Sequence, residues 1–144
     1  MKLLRPFAAA LLVLAVGLML PACHLFSHKP RPVGPAVTGT VVYITNVQLP
    51  ADATIELKLL ELTRDGAVVQ EISSDTLPRP RSVPVSFELL YNKHEISRHH
   101  FYGMDAKILS CGKALFTLPR PSPVLTHGNP AQVELVVEPA KPAK

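Results

Sequence analysis

Fifteen prolines are spread through this chain of 144 residues, and they constrain its fold more than any other feature. An interior proline removes a helical hydrogen bond and costs a helix about 3 kcal/mol. Segments interrupted this often do not build a helical bundle. Between the prolines the dominant period is two. Val37 to Val47 is rich in β-branched residues and suits a strand. Thr54 to Leu59 alternates, which sets Ile55, Leu57 and Leu59 on one face. At Leu59-Leu60 the alternation slips by one, as a bulge would cause. Arg64-Asp65-Gly66 reads as a turn, and Ala67 to Leu77 as the returning strand. Val83, Val85, Phe87 and Leu89 alternate with Pro84, Ser86 and Glu88. Pro84 donates no ladder hydrogen bond, so that strand begins at a sheet edge or a bulge. Asn92 to His99 is a polar connection with room for a short helical turn. Phe101–Ser110 and Lys113–Leu118 flank Cys111-Gly112 as a hairpin. Val124-Leu125-Thr126 makes a short strand at most, and Val133, Leu135 and Val137 mark the last one. The expectation is an all-β domain: an antiparallel β-sandwich of about seven or eight strands, with a small barrel as the alternative.

The N-terminus has a different character. Lys2 and Arg5 precede the uncharged apolar run Phe7 to Leu20. Fourteen residues are short for a membrane span, which needs roughly 20, and suit a signal peptide. The ending Leu20-Pro21-Ala22-Cys23 resembles a bacterial lipobox, although Pro21 replaces the usual small residue. The resemblance implies a lipoprotein signal peptide over residues 1–22, cut before Cys23, whose thiol carries the lipid. An ordinary secretory signal peptide and an uncleaved anchor are the alternatives. His24 stands where an Asp would hold a Gram-negative lipoprotein at the inner membrane. The implied address is therefore the outer membrane, lipid-anchored and facing the periplasm. Residues 23–36 hold Pro30, Pro32 and Pro35 and read as an extended tether. The folded domain is expected over 37–138, followed by a Pro/Ala/Lys tail over 139–144.

Chemistry-bearing patterns are sparse. The formal charge is +4, but Lys2 and Arg5 lie in the export segment, and no dense basic stripe remains for nucleic acid. The seven glycines form no phosphate-cradling loop, and no nucleophile–base spacing stands out, so no enzyme, cofactor or small-molecule substrate is expected. His94, His99 and His100 are near one another in sequence. Adjacent histidines on an extended chain point to opposite faces, so exposed loop residues are expected rather than a metal site. His24 and His28 read as tether residues. If Cys23 is lipidated, Cys111 has no disulfide partner. The runs Pro78-Arg79-Pro80-Arg81 and Pro119-Arg120-Pro121 read as stiff loop ends, able to offer Arg to an acidic partner. Tyr43, Tyr91, Phe101 and Tyr102 are assigned to the core or its rim.

Three blocks carry a family resemblance. They are Gly39-Thr40-Val41-Val42-Tyr43 with Leu49-Pro50-Ala51-Asp52-Ala53-Thr54; Val83-Pro84-Val85-Ser86-Phe87-Glu88-Leu89; and Pro123-Val124-Leu125-Thr126-His127-Gly128-Asn129-Pro130 with Val133-Glu134-Leu135-Val136. Together they resemble the YbaY/YscW lipoprotein family. The resemblance implies a small non-enzymatic β-sandwich of the envelope, a binding or assembly module at the outer membrane. The alternative within the family is a pilotin that chaperones a secretin in type III secretion; a structural lipoprotein without a client comes third. One departure is Cys111 before Gly112, where that hairpin turn usually has Asp or Asn.

Overall fold

The computed structural model describes residues 34–44, 48–80 and 83–141. It holds eight strands: β1 (Ala36–Tyr43), β2 (Thr54–Leu62), β3 (Val68–Leu77), β4 (Val85–Leu90), β5 (Phe101–Ser110), β6 (Lys113–Thr117), β7 (Ser122–Val124) and β8 (Gln132–Pro139). A single 3-10 turn, Lys93–Glu95, lies in the polar connection before β5, where a short helical turn is expected. Among the described residues no helix is long and apolar enough to cross a membrane. The strands follow one path, β3-β2-β5-β6-β8-β1-β4, with β7 joined to β5 beside β6. The path curls until its two end strands meet. Ser73 Oγ on β3 donates to the Leu90 carbonyl of β4 at 2.7 Å. The result is a nearly closed sheet, between the expected sandwich and the barrel alternative.

The period-two reading finds the core. Ile55, Leu57 and Leu59 are fully buried, facing Met104, Ala106 and Ile108 of β5. Val37 and Val41 of β1, Phe87 and Leu89 of β4, and Leu135 and Val137 of β8 complete the interior. Such burial contributes about 25 cal/mol per Å² of apolar surface. Tyr102 is enclosed, its hydroxyl donating to the Glu95 carbonyl and accepting from the Ser97 N–H. Tyr43 and Tyr91 sit at the rim, and Phe101 stacks on His127 with centroids 4.1 Å apart.

Turn chemistry follows the residues. Cys111 (φ 47°) and Gly112 (φ 74°) both take positive φ, as a two-residue type I′ hairpin requires. Gly66 (φ 88°) closes the β2–β3 turn, where the Ala67 N–H donates to Thr63 Oγ1 at 2.9 Å.

Four expectations are corrected. The sheet is not wholly antiparallel: β1 and β8 pair in parallel from Thr38↔Gln132 to Tyr43↔Val137. Parallel neighbours need a long crossover, and here β2 through β7 supply it. The register slip at Leu59/Leu60 is present, but the extra residue is Ile72 on β3, while β2 runs unbroken against β5. Leu60 and Leu62 are buried on the outer face because the chain around Pro121 lies over it. The short strand β7 is Ser122–Val124 rather than Val124–Thr126. Pro123 fits there because β7 bonds only to β5. Finally, β1 ends at Tyr43, short of Val47; residues 45–47 lie outside those described.

Candidate interaction surface

Strands β4, β1 and β8 lie side by side, and their alternation divides every residue between core and exterior. Residues 37, 41, 87, 89, 135 and 137 go inward. Outward go Thr38, Thr40 and Val42 on β1, Ser86 and Glu88 on β4, and Gln132, Glu134, Val136 and Glu138 on β8. These three strands contain three charged residues, all glutamates and all on the outer face. Among the described residues none of the three is in an ion pair.

Four acids elsewhere have cationic or histidine partners. Lys58 reaches both Glu56 (3.2 Å) and Glu71 (3.1 Å), which raises its pKa. Asp105 faces Lys107 at 3.7 Å, and Glu61 accepts from His100 Nδ1 at 2.8 Å and Gln70 Nε2 at 2.7 Å.

A shallow open groove of about 440 Å³ runs across the face, lined by the hydroxyls of Thr38, Thr40 and Ser86 with Gln132 and Glu134. Its floor includes Gly39, where the chains pack so closely that a Cβ would sit 1.8 Å from the Val133 carbonyl oxygen. Beyond the groove the face turns apolar: Val42 is half-buried, Val136 is 39% exposed, and Ile44, just past the end of β1, is 81% exposed.

Cys111 forms a second polar cluster at the β5–β6 tip. Asp52 accepts hydrogen bonds from the Cys111 thiol (3.1 Å), the Ser110 hydroxyl (2.9 Å) and the Cys111 N–H (2.7 Å). These donors hold the Asp52 carboxyl below its usual range, with the thiol the largest cause. The carboxylate in turn pushes the exposed thiol's pKa up, because it favours the protonated sulfur. Two consequences follow from the signs. Asp52→Asn removes the charge, so Cys111 will react faster with a maleimide at pH 8; an unchanged or slower rate would contradict the pairing. The Asp52 contribution to hairpin order is present above 3.8, its ordinary value, and is lost as pH falls through the lower folded value.

The other residues singled out in the sequence are dispersed. Cys23, His24 and His28 lie outside the described residues. His94 and His99 are exposed on the connection before β5, while His100 turns to Glu61. Arg79 is tied down, donating to the Leu49 carbonyl at 2.8 Å. Arg120 lies exposed in the segment before β7, and Arg81 is outside the described residues. Sequence reasoning missed Gly39, Glu88, Glu134 and Glu138 as members of one surface. The available signal was that two alternating strands carry only glutamate as charge.

A family model described as type III secretion system lipoprotein chaperone (YscW) matches residues 33–137. Among solved structures, an alternative pilotin from the type II secretion system of Vibrio cholerae has a TM-score of 0.67 and 24% identity, covering 74% of this chain and 96% of that chain. At that identity the likeness speaks to the fold. No curated protein matches.

Proposed function

Because the chain belongs to the YscW family of type III secretion system lipoprotein chaperones, we propose that it is an envelope lipoprotein that binds an outer-membrane client and assists its assembly. The carrying observation is the family match, which runs from residue 33 to 137, from before β1 into the last strand, β8. The pilotin-like fold supports it. The proposed client is a secretin subunit, and the role is non-enzymatic: a binding module without cofactor or small-molecule substrate. Cys23 is the proposed lipid attachment site, residues 1–22 the signal peptide and 23–36 the tether. The proposed station is the periplasmic side of the outer membrane.

Lipidation and the client role are coupled physically. A folded domain on a short tether samples only a thin layer above the lipid, so a bound client is confined there too. Deleting the gene is expected to shift the secretin from outer-membrane to inner-membrane fractions and to lower its heat-resistant multimers several-fold. Normal secretin multimers in the outer membrane of the deletion strain would remove the reading.

A further inference from the structure

We propose that the outer face of β4, β1 and β8 docks a client segment in which lysine or arginine residues flank an apolar residue. This deepens the chaperone reading and rests on it. The charge pattern selects the occupant. Three strands present Glu88, Glu134 and Glu138 with no cation among them, on a chain whose formal charge is +4. Exposed like charges without a cation beside them repel an acidic or anionic partner and favour a basic one.

The spacing selects its form. Residues 134, 136 and 138 all face outward on β8, so Val136 lies between two carboxylates. At about 3.3 Å per residue those carboxylates are roughly 13 Å apart. Val42 adjoins Val136 across the parallel pair, and Ile44 extends the apolar centre. Glu88 lies on the far side of β1, level with Thr38, with the groove between it and Glu134. An extended segment with the pattern basic-x-apolar-x-basic sets all three side chains on one face, its cations over Glu134 and Glu138 and its apolar side chain on Val136. The groove hydroxyls of Thr38, Thr40 and Ser86 remain available to its backbone. An anionic membrane surface is disfavoured by the same charges.

Two probes test this on the full-length lipoprotein in detergent. The first is the purified secretin monomer. E88Q/E134Q is compared with E95K, an exposed change on the 3-10 turn that alters net charge equally. The double variant is expected to raise the Kd about tenfold and flatten its salt dependence, while E95K stays at wild type. If wild type binds secretin and E88Q/E134Q binds equally well, the docking proposal fails while the chaperone reading stands. If wild type does not bind secretin, the client reading fails. The second probe is independent of that client: the peptide Lys-Ser-Val-Ser-Lys, whose lysines flank the valine on one face when extended, added to isotope-labelled protein. Amide shifts confined to β4, β1 and β8, and absent in E88Q/E134Q, support the face. Shifts elsewhere, no shifts, or a dimer formed through these strands overturn it.

Discussion

Gly39→Ala will lower the melting temperature by roughly 15 °C, the largest effect expected of any single-methyl change in the domain. A Cβ at residue 39 would lie 1.8 Å from the Val133 carbonyl oxygen, 2.9 Å from its carbon and 3.1 Å from Phe87 Cε1. A side chain can rotate away from such a contact, but a carbonyl held in a ladder cannot. Gly39 pairs with Val133 on β8 and with Phe87 on β4, so relief requires prising β1 from one neighbour. Overpacking usually costs about 1–3 kcal/mol, and a backbone collision inside a paired strand belongs at the upper end. For a domain of this size each kcal/mol moves the melting point by about 4–8 °C. Gly66→Ala is the control. Gly66 has φ 88° with nothing within 4 Å of an added Cβ, so only left-handed backbone strain applies, about 1–2 kcal/mol. Thermal melts that rank Gly66→Ala as the more damaging change would show that β1 and β8 do not approach as described.

The same glycine marks where local sequence reasoning stops. Alternation is a local property, and it placed Ile55, Leu57, Leu59, Leu135 and Val137 correctly because a strand's two faces are set by its own residues. Turn chemistry is local too, which is why Gly66 and the Cys111-Gly112 tip were legible. Strand neighbourhood is not local. Nothing in residues 36–43 says that residues 132–139 run beside them in the same direction. Without that pairing, Gly39 is an ordinary glycine in a strand, and Glu88, Glu134 and Glu138 are three separate surface charges. The slip at Leu59-Leu60 shows the same limit. The place was readable, but the extra residue belongs to the partner strand, where Ile72 falls out of register. Arg79 read as part of a stiff loop end; in the fold it holds the Leu49 carbonyl, thirty residues away in sequence.

Cys23→Ser is expected to move the protein from the membrane to the soluble fraction almost completely. Cys23 is the proposed site of a diacylglyceryl group, and once residues 1–22 are cut away nothing else proposed for the chain would hold it on lipid. Each buried CH₂ contributes about 0.8 kcal/mol, and one chain of myristoyl length gives only marginal, reversible binding while two give stable anchoring. A serine at this position offers no thiol for the modification, so both chains are lost together. The exposed surface of the β domain does not compensate, since its unpaired carboxylates on β4 and β8 are repelled by anionic headgroups. The fold itself lies downstream of the tether, so Cys23→Ser should melt at the wild-type temperature. If docking belongs to the β domain, the released protein should still bind secretin monomer in solution while failing to deliver it. Fractionation that leaves Cys23→Ser in the membrane pellet after a high-salt wash would remove the lipid from the account. Loss of both binding and membrane retention would instead place the client contact at the lipidated end.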